Sequence, residues 1–342
     1  MKKVFNVTLF VILTLMLVAC GQTTSGEQGR DTVSFRLATP DPESSPITEA
    51  ANEFAKVVEE KSEGSIEISV HPNGTLYGGD ASAAVKQLGE GSLDMLVLST
   101  SLYANFEPKF NAISIPYLFD GADQFTSFLN SDLAEELLKN TKDELGIEGL
   151  GLWSREFRQI TNSLGPITEP EDLDGVKLRV PNNPLWVEFF GGAGTATTPM
   201  DFSEVYNALQ LGTIDGQENP LGVILSSNIH EVQDYLTISN HMAEAWVVGV
   251  NEDKFSNLTE EQQQILREAT EEVQEWKVDN DASNAERIIE ELVAQGIEIN
   301  EITSEQQEEF VKVSQEAYPT FKKLVKNDEF FNQILEFVGK DE

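Results

Sequence analysis

From Thr259 to Ala294 the chain runs without a glycine or a proline. Thr259 followed by Gln262 is the reciprocal capping box that opens a helix. Ile265, Ala269, Val273, Trp276, Ala285, Ile288, Ile289, Leu292 and Val293 then keep largely to helical spacing. At 1.5 Å per residue, one helix over this span is about 50 Å long, more than the width of an ordinary domain. A fold built on such an element needs two bodies for the helix to brace, and the chain length of 342 residues agrees with two domains. The helix is therefore expected to brace both lobes, with the segment near Asn280–Ser283 as the place for any kink or break.

The preceding chain reads as alternating strands and helices. Val33, Phe35 and Leu37 alternate as a strand, Ile47, Ala50, Ala51, Phe54, Val57 and Val58 follow helical spacing, and Ile66, Ile68 and Val70 alternate again. A right-handed crossover makes these two strands parallel neighbours. A helix through Ala84, Val85 and Leu88 leads to the apolar run Asp94–Leu98, expected of a strand covered on both faces. Ser99, Thr100 and Ser101 fall where that strand ends. Ligands gather at the carboxyl ends of such strands, so these hydroxyls are candidate contacts, although ordinary loop chemistry explains them equally well. Ile113–Phe119 reads as an extended segment interrupted by Pro116, followed by helices at Asp123–Leu129 and Asp132–Lys139 and strands at Ile147–Trp153, Tyr235–Ser239 and Ala245–Val250.

Charge singles out one region. The chain carries a formal charge of −36, yet three of its seven arginines, Arg155, Arg158 and Arg179, lie within a short stretch. The acidity argues against nucleic acid as a partner. It does not exclude an anionic guest, because at physiological salt the field is screened within about 8 Å and local charges decide. Val176, Leu178 and Val180 form one face of a short strand and place Arg179 on the other. There its planar fork of donors suits a carboxylate. A lone arginine is more often half of a surface ion pair, so Arg179 needs support from its surroundings. Leu185, Trp186, Phe189 and Phe190 begin an apolar helix, and Ser203 is placed to cap the next one. Ile214–Pro220 follows as a turn in which Asn219, restricted by Pro220, either meets a solute or simply completes the turn.

Motifs for chemistry are absent. His71, His230 and His241 lie on unrelated segments without metal-ligand spacing, and there is no GxSxG, P-loop or GxGxxG. No catalytic residue, metal or cofactor is therefore assigned. At the N-terminus, Lys2 and Lys3 precede an apolar run from Val7 to Val18, short for a membrane span but fitting a signal peptide. It ends in Leu17-Val18-Ala19-Cys20, similar to the lipobox of bacterial lipoproteins. Residues 1–19 are thus expected to be removed, moving the charge to −38, with Cys20 lipidated and residues 20–32 acting as a flexible tether.

The ordered motifs EKSEGSIEISVHPNGTLYGGD, KQLGEGSLDM, FRQITN, EDLDGVKLRVP and TPMDFSEVYNALQLGTIDGQENP resemble those of the DctP-type solute-binding proteins of TRAP transporters, over nearly all of residues 33–338. The resemblance implies an α/β, two-lobed periplasmic-binding-protein-like fold, with mixed sheets flanked by helices and the long helix bridging both lobes. It places lobe I at 32–155 plus 246–282 and lobe II at 156–245 plus 283–338, hinged near Arg155, Ala245 and the long helix. It implies a receptor, expected as a monomer, that closes on a small organic acid and delivers it to the small and large membrane permease subunits. The arginine of LRVP, Arg179, is implied as the main salt bridge to the ligand carboxylate and Arg158 as its assistant. Asn219 and Phe202 are implied to line the same cleft. Arg155 receives no family role and stays a lower-ranked candidate contact, moved toward the hinge or a surface pair. Relatives that take sialic acid carry an acidic residue at the Ser99 position, which disfavours sialate here and leaves C4-dicarboxylates and sugar acids. A surface enzyme acting on sugar acids and a ligand receptor for a membrane sensor kinase are the alternatives.

Overall fold

The computed structural model of the chain describes residues 32–340, so the signal segment, Cys20 and nearly all of the tether lie outside the described residues. The chain lays down β1 (Val33–Ala38), β2 (Ile66–His71), β3 (Met95–Ser99) and β4 (Ile147–Arg155). It continues through β5 (Gln159–Asn162), β6 (Leu178–Val180), β7 (Thr198–Pro199), β8 (Gly216–Asn219) and β9 (Tyr235–Ile238), and ends its strands with β10 (Glu244–Asn251) and β11 (Glu298–Glu301).

These strands form two mixed sheets. The first has the order β2-β1-β3-β10-β4, with β1 parallel to β2 and β3 and β10 antiparallel between β3 and β4. The second has the order β11-β9-β5-β8-β6-β7. The chain crosses from the first sheet to the second between Arg155 and Gln159, and returns between Ile238 and Glu244.

Local chemistry accounts for the elements that frame the site. The helix Pro46–Lys61 starts where Ser45 accepts the Thr48 N–H, and it buries Ile47, Ala50, Ala51, Phe54, Val57 and Val58 against the first sheet. Every residue of β3 is buried, as its continuous apolar run requires. In the second sheet, β8 lies between β5 and β6 only because position 216 is glycine. A Cβ there would stand 2.4 Å from the Thr161 carbonyl oxygen.

The long helix spans Glu260–Ala294 with the Thr259/Gln262 capping box in place. It is unbroken, without the departure allowed for near Asn280–Ser283. Ser283 Oγ donates to the Asp279 carbonyl at 2.7 Å and Asn284 Nδ2 to the Asn280 carbonyl at 2.8 Å, so these polar side chains bond back along the helix instead of terminating it. Its first half puts Leu266, Ala269 and Val273 into the core beneath the first sheet, and its second half puts Ile288 and Leu292 into a core with Leu236 of β9 and Ile224 of the helix Leu221–Ser226. Trp153 Nε1, donating to the Thr270 carbonyl at 2.9 Å, ties it to β4.

Other expectations shift. Ile113–Phe119 is not extended: Pro108–Ser114 is a 3-10 helix and Tyr117 takes φ 54°, its N–H donating to the His241 carbonyl. The helix Phe202–Gln210 has Asp201 at its N-cap, so Ser203 lies inside it. The helix Asp132–Leu145 runs on to a left-handed Gly146 cap. The helix Ser304–Glu316 opens on a second capping box, Thr303 with Gln306. The C-terminal helices place Phe310, Phe321, Phe330 and Phe331 in one core with Ile113 and Trp186, and Asn111 Nδ2 donates to the Leu324 carbonyl.

Candidate functional site

The two crossings concentrate buried charge. Arg155 ends β4, Arg158 precedes β5, Glu218 and Asn219 end β8, Arg179 is the middle residue of β6, and Glu244 opens β10; all are buried.

Arg158 is fully engaged. Its Nε and Nη2 pair with the Glu218 carboxylate, Nη1 pairs with Glu244, and Nη2 also reaches the Glu218 carbonyl at 2.6 Å and Asn219 Oδ1 at 3.2 Å. Burial alone would lower its pKa, but these two carboxylates raise it. Burial likewise pushes Glu218 up, and Arg158 with His241 outweighs it and holds the carboxylate at about 2. Burial lowers the His241 pKa. Its neutral ring has Nε2 3.1 Å from Glu218 Oε2 and Nδ1 2.8 Å from Ser239 Oγ, which fits an Nε2–H donor.

Arg155 Nη1 pairs with Glu244 Oε2 at 2.5 Å, Nη2 donates to Asn219 Oδ1 at 3.0 Å, and the guanidinium lies 4.3 Å over the Trp246 ring. The assignment of Arg155 to a surface pair is therefore corrected: it is 8% exposed and faces the same crevice as the other two arginines. The end of β4 carries it inward, and a desolvated guanidinium stacked on indole and paired with carboxylate is stable there.

Arg179 differs from both. Its Nε and Nη2 donate only to the Met200 carbonyl, at 3.0 and 2.7 Å, and no carboxylate pairs with it among the described residues. Phe202 flanks it, ring centroid 5.8 Å from the guanidinium carbon. Burial depresses its pKa to about 10, the signature of a cation removed from water without a matching anion.

Ser99, Arg155, Arg158, Arg179, Phe202 and Asn219 line one narrow cleft of about 50 Å³, together with Asp41, Glu244 and Trp246. A second chamber of about 60 Å³ shares Arg179 and Phe202 and extends toward Tyr77. Arg158, Arg179, Asn219, Phe202 and Ser99 are thus brought together with Ser101, whereas Thr100, the other hydroxyl expected there, lies outside the cleft and accepts the Ala245 N–H at 3.3 Å. Ser99 Oγ lies 3.1 Å from Ser101 Oγ. Larger grooves of about 630, 710 and 350 Å³ border the long helix, but none of them is lined by Arg179 or Asp41, so the site is assigned to the cleft.

Sequence reasoning misses Asp41, Glu218, Glu244 and Trp246. Asp41 has an available signal, since it follows the carboxyl end of β1 just as Ser99 ends β3. Glu218 has its place in the QENP motif beside Asn219, and Glu244 has none beyond membership of a very acidic chain.

Comparison with known proteins agrees with this architecture. The family model DctP, bacterial extracellular solute-binding protein, family 7, matches residues 37–324. The C4-dicarboxylate-binding protein DctB of Bacillus subtilis is 30% identical over 308 residues, 90% of this chain and 87% of that protein. The 2,3-diketo-L-gulonate-binding periplasmic protein YiaO of Escherichia coli is 30% identical over 250 residues, 73% of this chain and 75% of that protein. The crystal structure of the sugar acid binding protein DctPAm from Advenella mimigardefordensis in complex with galactonate matches with a TM-score of 0.86 at 29% identity, covering 90% of this chain and 98% of that one. With two mixed sheets, a helix spanning both cores and a family match over most of its length, the chain belongs to the DctP family, bacterial extracellular solute-binding protein family 7.

Proposed function

We propose that the chain is the receptor of a TRAP-type transporter, capturing a small organic acid outside the cytoplasm through a salt bridge from Arg179 and delivering it to the small and large permease subunits. The observation that carries this reading is the buried guanidinium of Arg179, bonded only to a backbone carbonyl. An unpaired buried charge costs several kcal/mol. A ligand carboxylate offsets that cost with charge-assisted hydrogen bonds worth about 1.5–3 kcal/mol each. Arg179 Nη1, which makes no hydrogen bond within the described residues, is the donor we assign to the ligand.

Arg158 assists by position and charge, holding Asn219 and two carboxylates around the cleft, while Ser99, Phe202 and Asn219 complete its wall. The relatives named above bind a C4-dicarboxylate, a diketogulonate and galactonate. By that likeness the solute here is a C4-dicarboxylate or a sugar acid.

Closure is part of the proposal. Lobe I is 32–155 with 246–282, lobe II is 156–245 with 283–338, and the two sheet crossings and the long helix act as hinge. Arg179 belongs to one lobe and Ser99 and Asp41 to the other. A solute touching both stabilises the closed arrangement through contacts that the open one lacks. The narrowness of the cleft supports entry with the lobes apart. Cys20 lipidation anchors the receptor to the membrane surface, and Cys20→Ala is expected to release it into the soluble fraction.

Thermal unfolding in the presence of a panel of organic acids tests the reading. At least one acid should raise the melting temperature, and Arg179→Ala should abolish the rise. No response to any carboxylate, with a rise for neutral sugars or amines, contradicts it.

A further inference from the structure

The cleft contains acceptors that a simple dicarboxylate leaves unmet. Asp41 is 3% exposed, and its carboxylate makes no hydrogen bond or ion pair among the described residues. Its Oδ2 is fully buried without a partner. Glu244 offers Oε2 to Arg155 and Arg158, but its Oε1 is likewise buried and unpartnered. Both residues line the cleft with Arg179.

Leaving a buried polar atom unmatched is costly, so the ligand's chemistry follows from what these oxygens need. A carboxylate oxygen accepts hydrogen bonds and donates none. The second carboxylate of a C4-dicarboxylate is itself an acceptor at neutral pH, and near Asp41 and Glu244 it meets like charge. One further donor, Arg155 Nε, is also unpaired, but its guanidinium is already matched by Glu244. Hydroxyl groups supply neutral donors that satisfy both oxygens. An ammonium group also donates, but it would enter a cleft lined by Arg155, Arg158 and Arg179.

We infer that Asp41 and Glu244 read the hydroxyl groups of the solute, so that the receptor selects a polyhydroxylated monocarboxylate, an aldonate or uronate, over a C4-dicarboxylate. The inference rests on the carboxylate-receptor reading above, with Arg179 holding the single carboxylate. Asp41 then determines specificity at the far end of the solute. Asp41 follows β1 of the first sheet and Arg179 lies on β6 of the second, and both line the cleft, so one ligand can meet both.

Calorimetric titration of the purified mature protein with erythronate, galactonate, glucuronate, galacturonate, succinate and serine tests this. At least one hydroxylated monocarboxylate is expected to bind tenfold or more tightly than succinate or serine. Asp41→Asn keeps the side-chain shape and cuts no hydrogen bond of the fold, and it should lower the preference for that acid over succinate at least tenfold. Succinate binding as tightly as every hydroxylated acid overturns the inference and leaves the carboxylate receptor standing; so does an Asp41→Asn protein with unchanged preference. Tighter binding of serine overturns it as well. If no acid binds, the receptor reading itself fails and the inference with it.

Discussion

Two aspartates at opposite ends of the first sheet have opposite surroundings. Asp94, at the amino end of β3, accepts the Arg36 N–H and Nε at 2.9 Å each and pairs with Lys254. Burial would raise its pKa, but these partners overcome it and hold the group at about 2. Asp41, past the carboxyl end of β1, has no such partner, and burial pushes it up to about 6 in spite of Arg155 and Arg158 nearby. The arginines divide the same way: Arg158 is saturated by carboxylates, and Arg179 is left with one carbonyl. Paired charge in this molecule marks scaffold, and unpaired buried charge marks the place where a solute is expected to complete the bonding.

The largest expected effect falls on the unpaired arginine. Arg179→Ala should weaken binding of the preferred acid at least a hundredfold, about 3 kcal/mol, since truncating one member of a desolvated charge pair commonly costs that much. Titration calorimetry measures it, and a loss below tenfold would erase the distinction between Arg179 and its neighbours.

Asp41→Asn sharpens the contrast through stability. The folded pKa of Asp41, about 6, lies above the ordinary aspartate value of 3.8. Between those values the native state holds more protons than the unfolded one, so the wild type loses stability as pH rises from about 4 to 6. At pH 7 the variant should be more stable than the wild type by about 2–3 kcal/mol without ligand, and at pH 4 by almost nothing. Urea unfolding at the two pH values checks this; a variant less stable at pH 7 contradicts it.

Asp94→Asn should act with the opposite sign. The wild-type carboxylate stabilises the fold above pH 3.8, and that contribution is lost as pH falls toward 2. Allowing for solvent screening of a partly exposed group, the variant should lose about 1–2 kcal/mol at pH 7 in the same urea measurement, with ligand affinity unchanged. Smallest of all, Ser99→Ala removes one neutral hydroxyl already placed beside Ser101. It should change affinity by about fivefold or less, near 1 kcal/mol.

Much of this is legible in the amino-acid sequence alone. Periodicity locates the β-α-β opening and the long helix because both depend on local spacing, and the Thr259/Gln262 box marks the helix start. Arg179, Arg158, Asn219, Phe202 and Ser99 stand out through strand ends and motif company, and they do meet in one cleft. What escapes depends on tertiary pairing. Arg155 ranks below the other two arginines because nothing local shows that Glu244 and Trp246, far along the chain, pair with it and stack on it. Asn280 and Ser283 look like a break because their propensities are weak, whereas packing on both sheets keeps the helix continuous. Asp41 is one acid among many until its burial without a partner sets it apart.

The most direct measurement is a crystal structure of the mature protein with the acid that raises its melting temperature most. A carboxylate oxygen is expected about 3 Å from Arg179 Nη1, and a solute hydroxyl at similar distance from Asp41 Oδ2. A solute whose carboxylate lies elsewhere, with Arg179 still bonded only to the Met200 carbonyl, would contradict the assignment of the cleft.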